Sequence, residues 1–139
     1  MLELQEDCAG VDWREVAATL ERVGMAHYAP EVHRRAFEAS HTTVFVYEAG
    51  RLAGFGRALS DGAYQAAIYD VAVQPEFQGR GVGRRIIDAI MARLPGCNVI
   101  LYASPGKEGF YGKLGFRRMK TGMALFVKAG AMAAKGFTE

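Results

Sequence analysis

The stretch Gln78-Gly79-Arg80-Gly81-Val82-Gly83-Arg84 constrains this chain more than any other. An apolar run, Ile68 to Val73, precedes it, and a segment of helical periodicity follows as far as Leu94. Strand, glycine-rich turn and helix in that order form a site for an anion. Glycine lacks a Cβ, so the backbone can approach a ligand closely and adopt φ values that other residues avoid. The first turn of the helix offers unpaired N–H groups and partial positive charge, which suit a phosphate.

The rest of the chain limits what surrounds this turn. Its 139 residues fit one domain with one core, and half of them are apolar, which excludes a disordered chain. No apolar run approaches the roughly 20 residues that a membrane-spanning helix needs. Met1 to Gly10 is acidic and lacks the basic and apolar regions of a signal peptide, so a cytoplasmic protein with no membrane partner is expected. Cys8 and Cys97 form no C-x-x-C pair and read as reduced thiols. His27, His33 and His41 show no metal-ligand spacing, so no metal is expected. A net charge of +2 does not argue for nucleic acid.

Element signals run along the whole chain. Asp12 begins a helix, with Glu15 as the partner of a capping box and Gly24 as its stop. A second helix fits Pro30 to Ala39. Thr42 to Tyr47, Leu52 to Leu59 and Tyr64 to Val73 read as strands joined by tight turns, hence an antiparallel meander. Val82, Ile86, Ile87, Ile90, Met91 and Leu94 form the apolar stripe of the helix after the glycine turn. Val99 to Ala103 reads as a strand buried on both faces and parallel to the one before the turn. Lys107 to Leu114 reads as a short helix capped by Gly115. Phe116 to Met119 and Met123 to Lys128 are expected to finish the sheet. Residues 1–128 form the expected domain, and Ala129 to Glu139 a loose tail.

Two phosphate-binding designs fail on spacing. A P-loop needs Gly-Lys-Ser or Gly-Lys-Thr, which occurs nowhere in the chain. A dinucleotide fold needs G-x-G-x-x-G with an acid about 20 residues on, and Asn98 stands there instead. A third design fits. Gln78-x-x-Gly81-x-Gly83 resembles the Q/R-x-x-G-x-G/A signature of the GNAT superfamily of acyl-CoA-dependent N-acetyltransferases. Val73-Gln74-Pro75-Glu76-Phe77-Gln78 is similar to the family's approach to that loop. Phe110-Tyr111-Gly112-Lys113-Leu114-Gly115-Phe116 is similar to its F-Y-x-K-L-G-F phrase. Gly56 to Gly62 and Gly122-Met123 are similar to a subgroup that includes plastid-type serotonin N-acetyltransferases, although plant members tend to carry an acid where Ser104 stands.

The resemblance implies an α+β fold of three layers. A mixed, mostly antiparallel central sheet of about six to seven strands would be flanked by helices, with a splay between two parallel central strands. It implies acetyl-CoA as co-substrate and a small amine as acceptor. The implied pyrophosphate cradle is Gln78, Gly79, Arg80, Gly81, Val82, Gly83 and Arg84. Val71, Ala72 and Val73 would pair their main chain with the pantetheine arm. Ser104, Phe110 and Lys113 are further cofactor candidates. Tyr111 matches the family's general acid, and a phenol with pKa near ~10 holds a proton to donate at neutral pH. Asp70, the carboxylate on the strand feeding the loop, is the first candidate base, with a water chain as the alternative. Tyr64, Tyr69, Glu108, His27 and His33 are weaker candidates for the site. Two rivals are a CoA-binding sensor without turnover and a nucleic-acid binder using Arg84, Arg85, Arg117, Arg118 and Lys120. A protein lysine or N-terminal amine is the alternative acceptor. Exposed edges in the final strands are consistent with a homodimer.

Overall fold

The β-branched and aromatic runs pair as an antiparallel meander. In the computed structural model, which describes residues 1–139, β1 (Leu2–Gln5), β2 (Thr42–Glu48), β3 (Arg51–Ser60) and β4 (Gln65–Val73) lie side by side in chain order. Ala49 and Gly50 join β2 to β3 with φ of 50° and 77°, the positive pair that a two-residue hairpin needs to match strand twist. β5 (Asn98–Ile100) runs parallel to β4 and closes a five-stranded sheet, which is therefore mixed and mostly antiparallel.

Helices flank this sheet on both faces. Asp12 caps α1 (Trp13–Arg22) by accepting from the N–H groups of Arg14 and Glu15. The capping box is not reciprocal, because the Glu15 carboxylate bonds Arg22 and Gln74 instead. Pro30 opens α2 (Pro30–Glu38), where its missing N–H costs nothing. Val16, Leu20 and Phe37 of these helices pack with Phe45, Phe55 and Ala72 of the sheet in one buried cluster. The rings of Phe37, Phe45 and Phe55 lie 5.6 to 6.4 Å apart. Each contributes about 1.5–3 kcal/mol by burial alone. α3 (Val82–Ala92) covers the opposite face, where Gly54 and Gly56 of β3 admit it closely.

The chain divides into two units, Met1–Leu101 and Tyr102–Glu139. The second holds α4 (Glu108–Lys113) and α5 (Ala129–Ala134). Several expectations need correction here. Phe116 to Met119 and Met123 to Lys128 are not strands, so the sheet has five strands rather than six or seven. Only Val127 in these two stretches is β-branched, and strand propensity without a pairing partner does not hold an extended conformation. The parallel pair β4–β5 lies at an edge of the sheet, not at its centre. β5 is shorter than expected and exposed at Asn98 and Ile100, as an edge strand. Ala129 to Glu139 contains a helix rather than only a loose tail. Alanine has the highest helix propensity, and the Phe137 ring meets Tyr102 and Phe126 at 5.9 and 6.4 Å. β1 had no sequence signal strong enough to be expected.

Candidate active site

The approach to the glycine turn is held from behind. The Gln74 N–H donates to the Ala53 carbonyl at 2.8 Å. Its buried side chain donates to Glu15 (2.8 Å) and Thr19 (2.7 Å) and accepts from Arg22 (2.9 Å). All polar atoms of this amide are thereby satisfied, and β4 is tied to α1 at the point where the chain turns. Glu15 is held below the usual carboxylate range, first by the Arg22 hydrogen bond. Pro75–Phe77 forms a 3-10 turn, and the Gln78 side chain then reaches back to the Val73 carbonyl at 3.1 Å.

The turn itself is an open nest of donors. Gly79 and Gly81 have φ of 77° and 80°, and nothing lies within 4 Å of where their Cβ atoms would be. Backbone hydrogen bonds stop at Gln78 N to Pro75 O (3.3 Å) and resume at Arg85 N to Gly81 O (3.1 Å). Between them the N–H groups of Gly79, Arg80, Gly81, Val82, Gly83 and Arg84 have no acceptor in the chain. The Val82 side chain is buried, so it anchors the nest to the core from beneath. Gly83 lies inside the first turn of α3. Consecutive unpaired donors at a helix N-terminus suit an anion. Arg80 does not extend freely toward it: the guanidinium lies over the Phe77 ring at 5.2 Å and donates twice to Glu48. Arg84 is exposed and pairs with Asp88 at 3.6 Å.

A bulge in β4 sets which main-chain groups face the open edge. Phe55 pairs with Ala72 and Arg57 with Tyr69, so Asp70 and Val71 together oppose Gly56. Asp70 carries φ of 56°, the left-handed conformation that Asp tolerates better than most residues. The Gln74–Ala53 bond fixes the alternation beyond the bulge, where Ala72 faces β3 and Val71 and Val73 turn their N–H and C=O groups outward. β5 pairs only with Gln65, Ala66 and Ala67, which leaves β4 from Ile68 to Val73 without a strand on that side. Of the outward groups, the Val73 carbonyl accepts from Gln78.

Polar groups gather on the α2 side of the bulge. Arg57 Nε donates to Asp70 Oδ2 at 2.7 Å, and Arg57 also reaches the Ser40 hydroxyl at 3.3 Å. The guanidinium lies 5.6 Å from the Phe37 ring and 5.4 Å from the Tyr69 ring. His33 is buried, and its Nε2 accepts from the Tyr28 N–H at 2.8 Å, so the neutral ring carries its proton on Nδ1. Burial lowers its pKa from the ordinary 6.5, opposed by the nearby Asp70 charge. His27 is exposed, 3.7 Å from Glu21. Tyr64 is exposed, and its carbonyl accepts from Asn98 N–H at the start of β5.

The remaining candidates lie in the second unit. Tyr111 and Phe116 belong to the same helix-ending motif. The N–H groups of Phe116 and Gly115 bond the carbonyls of Tyr111 and Gly112, both at 3.1 Å, with Gly115 at φ 95°. This is a Schellman cap, and the Tyr111–Phe116 ring contact at 5.8 Å is its hydrophobic closure. The phrase Leu114-Gly115-Phe116 thus has a folding role. Phe110 meets Tyr111 edge-on at 5.0 Å, and burial raises the Tyr111 pKa above its usual value. The Ser104 carbonyl accepts from Lys107 in the turn before α4, Glu108 bonds the Gly106 N–H, and Lys113 is exposed. Arg57, Glu48 and Gln74 were not among the expected site residues, although Arg57 and Gln74 lie inside stretches that carry the family resemblance. Their partners lie 13 and 17, 32, and 52 to 59 residues away in sequence, beyond the reach of local pattern.

The sheet with its flanking helices, the opening beside β4 and the donor nest have the α+β architecture that the sequence resemblance implies. A family profile described as an acetyltransferase (GNAT) domain matches residues 13–131, and the chain belongs to this family. Serotonin N-acetyltransferase 2, chloroplastic, of Oryza sativa subsp. japonica is 37% identical over 122 residues, covering 81% of this chain and 60% of that protein. An uncharacterized N-acetyltransferase, ycf52, of Porphyra purpurea is 31% identical over 119 residues, covering 84% and 64%. The chain therefore spans about three-fifths of the length of these relatives. Among solved structures, a probable acetyltransferase of methicillin-resistant Staphylococcus aureus aligns with TM-score 0.81 at 25% identity, covering 92% of this chain and 99% of that one. A GNAT-family protein of Xanthomonas campestris pv. campestris aligns with TM-score 0.81 at 27% identity, covering 91% and 94%.

Proposed function

We propose that the chain transfers the acetyl group of acetyl-CoA to a primary amine by direct attack in a ternary complex, with a small amine as the preferred acceptor. The observation that carries this reading is the run of unpaired N–H groups from Gly79 to Arg84, which offers donors for a pyrophosphate. The outward main-chain groups of Val71 and Val73 offer hydrogen bonds to the amide-containing pantetheine arm.

The chemistry follows from the thioester. The amine lone pair attacks the carbonyl carbon, the C–S bond breaks, and the thiolate takes a proton. Tyr111 is the proposed donor, by its match to the family motif, and its raised pKa keeps the phenol protonated at neutral pH. The proton lost by the attacking nitrogen goes to water in this reading, because Asp70 Oδ2 already accepts from Arg57. Holding amine and thioester together supplies the larger effect, up to ~7–11 kcal/mol for well-oriented partners. The rice relative's name carries serotonin, a small amine, which supports the acceptor class without naming this chain's own substrate.

Calorimetry with acetyl-CoA and a free-thiol assay over a panel of amines test this. Binding with CoA release on small amines is the expected result. Absence of acetyl-CoA binding would remove the reading, and binding without release on any amine would replace it with a sensor.

A further inference from the structure

The bulge at Asp70 decides which residues meet the open edge. On the hairpin side, Asp61 N–H bonds the Gln65 carbonyl, so Ala67 and Tyr69 face β3 while Ala66 and Ile68 face outward. Continued without interruption, that alternation would turn Asp70 and Ala72 outward. The extra residue resets it to Val71 and Val73. A one-residue slip would also move every following side chain to the other face of the sheet. Ala72 would leave the buried cluster it shares with Phe55 and Phe37.

Something must hold Asp70 in its left-handed conformation, which costs an L-residue roughly 1–2 kcal/mol. Two contacts on opposite faces of the sheet do so. On the α3 face, a Cβ at Gly56 would lie 2.9 Å from Ile86 and 3.2 Å from Val71, so Val71 packs into the space that glycine leaves. On the α2 face, Arg57 spans the two strands to Asp70 at 2.7 Å. Its guanidinium is itself fixed by the Phe37 and Tyr69 rings and by Ser40, and the Arg57 side chain is only 16% exposed. A charge-assisted bond in this setting is stronger than an exposed surface pair.

We propose that Arg57 is a positioning residue for the acyl-CoA arm: through Asp70 it locks the bulge that presents the main chain of Val71 and Val73 at the open edge. Asp70 then serves as part of the lock and not as the proton acceptor. The inference rests on the acetyl-CoA reading of this edge.

Three variants test it. Arg57→Met removes the charge and keeps most of the stem. Asp70→Ala removes both the carboxylate and the tolerance of positive φ. Asp70→Gly removes the carboxylate and keeps the backbone freedom. Arg57→Met and Asp70→Ala are expected to weaken acetyl-CoA binding about tenfold, and Asp70→Gly to recover most of that loss with an unchanged pH profile of kcat. Amide hydrogen exchange reads the lock without cofactor. Wild-type Val71 and Val73 should exchange faster than Ala72, and Arg57→Met should blur that difference. Wild-type affinity in Arg57→Met with an intact exchange pattern would overturn the proposal. So would an Asp70→Gly enzyme that binds acetyl-CoA normally yet loses the acidic limb of its kcat pH profile. If wild-type fails to bind acetyl-CoA while the exchange pattern responds as expected, the lock stands and the acetyl-CoA reading falls.

Discussion

Glu48 holds Arg80 by two hydrogen bonds, 2.8 and 3.0 Å, at the rim of the donor nest. A carboxylate from β2 thereby engages a cation within the turn itself. Glu48→Gln should free Arg80 and tighten CoA binding about threefold at low ionic strength, with the gain shrinking at about 0.5 M salt. Calorimetry at two salt concentrations checks this. An unchanged affinity at low salt would show that Arg80 contributes nothing to binding.

Gly81 and Gly83 separate backbone conformation from backbone access. Gly81→Val imposes a branched residue at φ 80° and should lower both Tm and acetyl-CoA affinity. Gly83 lies in α3, where Ala is favoured over Gly by about 1 kcal/mol. Gly83→Ala should therefore keep or raise Tm while still weakening acetyl-CoA binding. Normal affinity in both variants would remove the pyrophosphate assignment.

Tyr111→Phe should lower kcat by about 10²–10⁴-fold with acetyl-CoA affinity nearly unchanged. Burial raises the phenol pKa above its ordinary 10.0, so the protonated form is lost only as pH climbs through that higher value. Wild-type kcat should thus show no alkaline loss due to Tyr111 below pH 10.0. Steady-state rates across pH decide the matter, and an unaffected kcat in the Phe variant would dismiss Tyr111 as the acid.

His33 makes the fold sensitive to acid. Its folded-state pKa is depressed, first by burial and also by Arg57 and His27, while Asp70 opposes them. The stability it contributes is complete above the ordinary 6.5 and is lost as pH falls from there through the folded value. Protonation would also make Nε2 a donor and break its bond from the Tyr28 N–H. Thermal melts should show Tm falling as pH drops below 6.5, with a shallower fall in His33→Gln. Equal slopes in the two proteins would contradict this.

Much of the fold was legible because its signals are local. Asp12, Pro30 and the turn at Ala49-Gly50 mark boundaries through chemistry within four residues. The run from Ile68 through Gly83 announced a strand, an open turn and a helix in order. What could not be read depends on distant partners. Nothing around Asp70 signals an extra residue in β4, since the bulge is defined by register with β3. Asp70 was read as a base because it is the carboxylate on that strand, and its engagement by Arg57 emerges only from the hairpin. Val99 to Ala103 looked like a core strand from its apolar letters alone, yet pairing reaches only Ile100. Phe116 to Met119 and Met123 to Lys128 show the converse, because apolar content without a pairing partner forms no ladder.

Gly54 and Gly56 bear on more than packing. A Cβ at Gly54 would lie 2.7 Å from the Ala72 carbonyl and 3.2 Å from Val82, the first residue of α3. Two absent side chains on β3 therefore set the height and tilt at which α3 aims its N-terminal donors. A side chain at either position would misdirect the nest without altering any residue in it, because nothing larger than hydrogen fits there without a shift.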